Sequence, residues 1–137
     1  MDAVFDSLAQ GFPLLLLYLA AVAGIFVAAL LLYVWLTPHK EFTLVSEGNM
    51  AAAIHLSALI LALSLPLAAC LIHKISIADV AIWGGVSVLL QLFLFRMTDL
   101  IFRGIPDLIE RDVVGPAMVL GAFKLAGSIV LAFAIAG

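Results

Sequence analysis

The sequence predicts an all-α protein, a polytopic membrane four-helix bundle built from two parallel two-helix repeats. Of its 137 residues, 66% are hydrophobic and 11% are charged, whereas roughly a quarter of the residues in a soluble domain carry charge. The mean hydropathy is +1.32. Four apolar stretches of membrane-crossing length are separated by short polar segments. Because these stretches use almost the whole chain, residues 1–137 are expected to form a single transmembrane domain.

Each predicted span follows from the thickness of the bilayer. A hydrocarbon core about 30 Å thick requires about 20 apolar helical residues, since backbone groups find no water there. Pro13 is expected to open the first span, where its missing N–H does little harm. Ser46 and Asn49 are candidate caps for the second span, and Asp112 is a candidate N-cap for the fourth. The predicted spans are residues 12–36, 49–72, 78–102 and 112–136.

Basic residues predict the orientation of the chain. Four crossings place both termini on one side and the two connectors, between spans one and two and between spans three and four, on the other. The connectors carry Lys40, Arg103 and Arg111, and Arg96 lies just inside the third span, whereas the terminal side offers Lys74. By the positive-inside rule the connectors face the cytoplasm and both termini are periplasmic.

The two halves of the chain, about 1–74 and 75–137, resemble each other in hydropathy and spacing. A shift of 63 residues places Glu47 on Glu110, Asn49 on Asp112 and the first span on the third. Because a two-helix unit returns to the side that it left, the halves are predicted to be parallel repeats about an axis along the membrane normal.

Each connector mixes apolar with polar residues. In the second connector the i, i+3, i+4 spacing favours a short helix with one apolar face. Such a face either docks a cytoplasmic protein partner or tucks the connector against the bundle, and the sequence leaves both interpretations open. The apolar residues are Phe42, Leu44 and Val45 in the first connector and Ile105, Leu108 and Ile109 in the second.

Polar residues inside the spans form a candidate intramembrane site. Lys124 lies near mid-bilayer, where a cation raises the insertion free energy by about 2.5–3.5 kcal/mol. Gln91 lies at a similar depth and is a candidate partner, and His55 either titrates in the same interior or is packed and hydrogen-bonded. Asp99 is expected roughly 12 Å from Lys124 along the helix axis, and is predicted to pair with Arg96 at i, i+3. Lys124 therefore belongs either to an ion or substrate path or to the snorkelling lysines.

Pro66 and several small residues predict how the helices pack. Pro66 removes the hydrogen bond to the carbonyl of Ala62 and frees that acceptor for another donor. Small residues at four-residue spacing permit close helix approach and, where they face outward, self-association into a homo-oligomer. They are Ala20, Gly24 and Ala28 in the first span, and Ala117 with Gly121 and Ala122 with Ala126 in the fourth.

The sequence lacks the patterns of several function classes. It contains no phosphate-binding glycine-rich loop, no zinc-protease helix motif, and no nucleophile, base and acid set, so no enzyme activity is predicted. Cys70 is the single cysteine, and no metal or cofactor is expected. The net charge of −3 argues against nucleic acid as a partner.

Several short motifs are found along the chain: Thr37-Pro38-His39 with Glu41, Asn49 before Ala51-Ala52-Ala53, Leu65-Pro66-Leu67, Ser76-Ile77 with Asp79, Trp83-Gly84-Gly85, Gln91-Leu92, and Ala117 with Gly121 and Leu125-Ala126-Gly127. In combination they resemble the YjfL family of small bacterial inner-membrane proteins with four spans and no settled role. The resemblance covers nearly the whole chain. It implies an association with envelope stress, because family members often look to be encoded near relatives of a phage-shock membrane-remodelling protein and of ATP-grasp amide ligases. Lys124 is not part of the family pattern.

Two functions of different classes are compatible with these observations. The first is a non-enzymatic inner-membrane scaffold or anchor, homo-oligomeric, that recruits cytoplasmic proteins through its connectors. The second is an oligomeric ion channel or small-solute transporter that uses the polar residues at mid-bilayer. The lipid bilayer is the expected surrounding of both.

Overall fold

The structure, a computed structural model, describes residues 1–37, 40–72 and 76–137. Within these ranges every regular element is a helix, which confirms the all-α class, and four of the helices are long and apolar enough to cross a membrane. Lys74, which enters the orientation prediction, lies outside the described residues, as do His39 and His73. The elements are α1 Asp2–Leu36, α2 Glu41–Ser46, α3 Met50–Ile72, α4 Ile77–Ile101, α5 Ile105–Glu110 and α6 Val114–Ala136.

The first helix is longer than predicted. It begins at Asp2 rather than near Phe12, and Pro13 lies inside it. Residues 2–10 contain neither glycine nor proline, so nothing in this segment breaks a helix. The ring of Pro13 removes one backbone hydrogen bond but fixes a helical φ. At 35 residues the helix is about 52 Å long, which exceeds the hydrocarbon core. The other three spans begin and end within two residues of their predicted bounds.

The four long helices pack as two parallel pairs. The most extensive contact joins α3 to α6, and α1 packs mainly against α4. Along the first pair, the contacts progress from Ala51 with Asp112 to Ala62 with Ser128, so both helices run away from the connectors. The connector helices α2 and α5 lie at the same end, where Asn49 bonds to the carbonyl of Ile109. This end is called the connector end below.

Small residues bring α3 and α6 close together. A Cβ built on Gly121 would lie 2.9 Å from the Cβ of Ala58, and Ala117 is fully buried in the same contact. The second pair of small residues on α6, Ala122 and Ala126, is exposed on the bundle surface. On α1 the predicted stripe of small residues also faces outward.

We expect Gly121→Val to destabilise the bundle. The added side chain meets the rigid Cβ of Ala58, and forcing extra methyl groups into a packed interface costs about 1–3 kcal/mol. Gly127→Val, on the same helix, is the matched control, because a Cβ at Gly127 meets nothing within 4 Å. Unfolding in detergent measures both, and equal loss of stability in the two variants would contradict the close α3–α6 contact.

Both connectors end in the same capping geometry. The N–H of Asn49 bonds to the carbonyl of Leu44, and the N–H of Val113 bonds to the carbonyl of Leu108, as in the Schellman motif. In each connector the residue just before the donating N–H has a left-handed backbone. This residue is Gly48 in the first connector and Asp112 in the second. These positions differ by 64 residues, not the predicted 63. The internal repeat itself stays a prediction.

Asp112 does not cap α6 as predicted. The N-cap of α6 is Val113, because Asp112 occupies the left-handed turn position. Its carboxylate instead accepts a hydrogen bond of 2.9 Å from the N–H of Ala51 on α3. Asn49 also caps α3, by accepting from the N–H of Ala52 at 2.8 Å, which confirms that prediction. The first turn of α3 is therefore held from both connectors.

Candidate functional site

A set of seven polar side chains lies inside the bundle, in its half nearer the connector end. We call this set the polar core. Six of the seven are buried and the seventh, Asp99, is partly buried. Such side chains are rare within membrane helices, because each must find a partner or a water-filled space. The polar core consists of Tyr33, Glu41, His55, Gln91, Asp99, Lys124 and Ser128.

The deepest part of the polar core surrounds the carbonyl that Pro66 leaves free. The carbonyl oxygen of Ala62 accepts a hydrogen bond of 3.2 Å from Nε2 of Gln91. It also accepts one from the hydroxyl of Ser128 on α6. The prediction that Pro66 frees an acceptor for neighbouring side chains is confirmed. This single carbonyl therefore joins α3, α4 and α6.

Glu41 connects the first connector to the interior of the bundle. It is the first residue of α2 and is only 3% exposed. Its Oε1 accepts a hydrogen bond of 2.6 Å from the hydroxyl of Tyr33 on α1 and lies 3.0 Å from Nδ1 of His55 on α3. A carboxylate with two such partners holds three helices in a fixed arrangement.

The second nitrogen of His55 has a different environment. The residue has no exposed surface, and Nε2 finds no hydrogen-bond partner among the described residues. The packed and hydrogen-bonded state that the sequence suggested therefore describes one side of the ring. The carboxylate of Glu41 favours the form of the ring that carries a proton on Nδ1, because that N–H can donate to it.

Lys124 forms an ion pair with Asp99. Its Nζ lies 2.8 Å from Oδ1 of Asp99, so the expectation that the two residues are too far apart was wrong. The lysine is 2% exposed, and its long side chain extends toward the end of α4 that carries Asp99, as snorkelling side chains do. The prediction counted only the distance along the helix axis and left out the length of the lysine side chain.

Aromatic rings complete the environment of Lys124. Its Nζ lies 5.8 Å from the centroid of the Tyr33 ring and 5.5 Å from that of Phe95. The two rings meet edge to face, with 6.3 Å between their centroids. At these distances both rings add a cation–π attraction to the ion pair.

The predicted site residues are only partly brought together. Gln91 donates to Ala62 rather than accepting from Lys124, and its Oε1 has no partner among the described residues. Arg96 is exposed on the bundle surface. It makes no ion pair with Asp99 within the described ranges, because the carboxylate is directed to Lys124.

The apolar connector residues are mostly covered by the bundle. Ile109 has no exposed surface. Three others pack against the buried cluster at the start of α3 and α6, and Leu108 is half-buried. Phe42 is the exception, at 48% exposed. The residues that pack against this cluster are Leu44, Val45 and Ile105.

Three members of the polar core were not expected as site residues from the sequence. They are Tyr33, Glu41 and Ser128. A glutamate at the start of a connector is usually solvated, and tyrosine near a span end usually marks the bilayer interface. The available signal was the spacing of Glu41 from His55, which places both near the connector end.

A cavity of about 240 Å³ reaches the polar core between α1 and α4, and Tyr33 and Asp99 lie in its wall. Beyond Ala62, toward the terminal side, buried apolar residues close the interior of the described bundle, among them Leu67 and Val80. The hydroxyl of Ser87 in that half bonds to the carbonyl of Gly84 on its own helix. Within the described residues no group of three or more His, Cys, Asp or Glu side chains is placed to hold a metal ion.

This arrangement has one structural and one chemical capability. Structurally, it fixes the connectors to the bundle through buried hydrogen bonds. Chemically, it offers a carboxylate, an imidazole, an ammonium and a second carboxylate near one another, groups that exchange protons or neutralise a charged ligand. Of these groups Asp99 is the one that is partly exposed, and it lines the cavity between α1 and α4.

Comparison with known proteins places the chain among relatives. Residues 7–135 match the model of a family described as Domain of Unknown Function (DUF350). The chain is similar to the UPF0719 inner membrane protein YjfL of Escherichia coli K12, with 32% identity over 100 residues that cover 73% of this chain and 76% of the relative. The protein of the same name from Escherichia coli O157:H7 is similar to the same extent. No solved structure matches the chain. Its identity to the YjfL proteins confirms the resemblance that its motifs suggested. Because the family model covers nearly the whole chain, this protein belongs to the DUF350 family.

Proposed function

We propose that this protein is a non-enzymatic, homo-oligomeric scaffold of the bacterial inner membrane that anchors a cytoplasmic assembly through its connector face. The observation that carries the proposal is the rigid attachment of both connectors to the bundle. Glu41 holds α2 through Tyr33 and His55, and Asn49 holds the end of α5 through the carbonyl of Ile109 at 2.8 Å. A surface held in this way binds a partner with little loss of conformational entropy.

The exposed side of the connectors has the chemistry of a protein interface rim. The two connectors carry exposed charged side chains of both signs, and the first also carries the exposed ring of Phe42. An aromatic anchor with a polar rim is typical of protein recognition surfaces. Most of the other apolar connector residues pack against the bundle, so the docking proposal depends on Phe42 and on the exposed charged residues of the connectors. The exposed rim charges are Lys40, Glu47, Arg103, Asp107, Glu110 and Arg111.

Self-association is supported by the outward face of α1. Ala20, Gly24 and Ala28 are all exposed, and a Cβ on Gly24 would meet nothing within 4 Å. In lipid, such faces pack against other helices because small residues allow close backbone approach. Envelope stress is the setting that the family resemblance suggests, and the name of the relatives supports the inner membrane.

Site-specific photocrosslinking in native membranes tests the scaffold proposal. A photoreactive residue at Phe42 or Glu110 is expected to capture the same cytoplasmic protein, and Glu41→Leu, which releases α2, is expected to reduce that capture. A photoreactive residue at Ile82, exposed near the other end of α4, is the control. The absence of any cytoplasmic product that depends on the connector positions would refute the proposal.

We expect reporters at the two ends of the bundle to show opposite locations. Alkaline phosphatase fused after Gly137 is expected to be active, because the positive-inside rule places both termini in the periplasm. The same reporter inserted at Gly48, in the first connector, is expected to be inactive. A fluorescent protein at the two positions gives the reverse pattern, and a cytoplasmic location of Gly137 would invert the orientation.

A second candidate function is an oligomeric ion channel or small-solute transporter. The buried pair of Lys124 and Asp99 favours it, because ionisable residues at this depth commonly mark ion or substrate paths. The apolar half beyond Ala62 opposes a pore through one bundle, so any path requires several copies or a conformational change. Measurement of ion flux into liposomes that contain the protein tests this function, with Lys124→Ala and Gln91→Leu as variants. Unchanged flux in both variants would exclude these residues from the path.

A further inference from the structure

Arg96 occupies an unusual position for a charged residue. It lies five residues before the last residue of α4, about 7.5 Å along the helix axis from that end. Its side chain is exposed, and it has no ion-pair partner among the described residues. A guanidinium at the surface of a membrane helix must either stay in contact with water or pair with an anion. Neither an aspartate nor a glutamate of the described bundle supplies that anion.

Two surface concavities meet at Arg96. The first, about 240 Å³, lies between α1 and α4. The second, about 220 Å³, follows the turn from α4 to α5 and includes Arg103 and Asp107. Arg96 and Asp99 line both, so the two concavities form one groove at the connector end. We call it the α4 groove.

The charges around the α4 groove favour an anion. Asp99 is neutralised by Lys124, whose Nζ lies 2.8 Å away. Arg96 and Arg103 then face Asp107, which leaves one net positive charge. A guanidinium forms short bidentate hydrogen bonds with phosphate oxygens.

The walls of the α4 groove favour a lipid over a free anion. Leu36 and Leu92 line the first concavity and Leu100 lines the second. The groove begins between two helices long enough to cross a membrane and ends at the turn after α4. Phospholipid headgroups are expected to meet acyl chains at the end of such a helix. Basic pockets between helices at a membrane surface are suited to the headgroups of anionic lipids.

We propose that the α4 groove binds the phosphate of an anionic phospholipid from the leaflet at the connector end, with Arg96 and Arg103 as the binding groups. The lipid supplies the counterion that Arg96 lacks, and its acyl chains continue along the apolar wall between α1 and α4. The α4 groove shares Arg103 and Asp107 with the connector rim, whereas Arg96 lies on α4 outside that rim. The proposal does not depend on the scaffold role, because Arg96 tests the groove separately from the rim.

Native mass spectrometry of the full chain in detergent tests the proposal, with phosphatidylglycerol and phosphatidylcholine added separately. The unmodified protein is expected to retain phosphatidylglycerol more tightly. Arg96→Gln is expected to weaken that binding by roughly tenfold, since a charge-assisted hydrogen bond is lost. Arg111→Gln is the matched control, because Arg111 is exposed at the same end but lines neither concavity. It is expected to leave the binding unchanged.

A second variant and a competition with inorganic phosphate complete the experiment. Arg103→Gln is expected to weaken binding as well, and takes the place of Arg96→Gln if that variant does not yield folded protein. Equal retention of the two lipids, or equal weakening by Arg111→Gln, would overturn a specific site. Displacement of phosphatidylglycerol by millimolar inorganic phosphate would assign the groove to a soluble anion and overturn the lipid proposal. Binding to a cytoplasmic partner is expected to be unchanged in Arg96→Gln, which separates this test from that of the scaffold.

Discussion

Asp99→Asn is expected to destabilise the protein more than Lys124→Met. The asparagine leaves the ammonium of Lys124 buried without its carboxylate, and removing one partner of a buried ion pair costs about 3–5 kcal/mol. Lys124→Met leaves Asp99 instead, whose side chain is 12% exposed against 1% for Lys124 and lines both concavities of the α4 groove. The free energy of unfolding in detergent measures the difference.

The double variant gives the decisive comparison for this pair. With Asp99→Asn and Lys124→Met combined, no charge is left unpaired, and replacing both members of a buried pair is often neutral. Recovery of most of the stability lost in Asp99→Asn is therefore expected. Asp107→Asn, an exposed aspartate at the same end, serves as the control. Additive losses in the double variant would show that the two residues are not coupled.

Glu41→Leu is expected to have the second-largest effect. It leaves the hydroxyl of Tyr33 and Nδ1 of His55 without their shared acceptor, and each buried polar group that loses its partner costs about 1–3 kcal/mol. The loss of stability is expected to be greatest in α2, since Glu41 joins this helix to α1 and α3. Hydrogen exchange of the α2 amides is expected to accelerate in addition to the fall in stability.

Glu47→Leu is the matched control for this prediction, because Glu47 belongs to the same connector but is exposed. Its effect is expected to stay within about 0.5 kcal/mol, as for most surface substitutions. Glu41→Gln keeps an acceptor oxygen and is expected to fall between the two. Equal effects of Glu41→Leu and Glu47→Leu would show that the buried hydrogen bonds do not hold α2.

The membrane helices could be predicted from the sequence because their signal is local. Hydropathy and length place α3, α4 and α6 within two residues, and Pro66 identifies the free carbonyl of Ala62 without knowledge of its neighbours. The start of α1 was missed because apolar length reports how much of a helix fits in a bilayer. It does not report where the helix ends outside the hydrocarbon core.

The polar core depends on relations between helices that no local pattern reports. Lys124 pairs with Asp99 because the side chain spans a separation that axial counting made too large. Glu41 is buried because α2 folds back onto α3, which brings its carboxylate to His55, 14 residues further along the chain. Asp112 caps a different helix from the one that follows it, since its own backbone is left-handed.

Accessibility of spin labels in lipid bilayers tests whether lipid surrounds the four long helices, with the polar core inside the bundle. With Cys70 replaced by serine, a nitroxide is attached at one exposed position on each helix: Leu31, Leu61, Leu89 and Val130. The structure predicts frequent collisions with oxygen and few with a water-soluble nickel chelate at all four positions. Strong nickel contact at these positions in intact bilayers would show that water, not lipid, surrounds the helices, and would rule out a four-span membrane bundle.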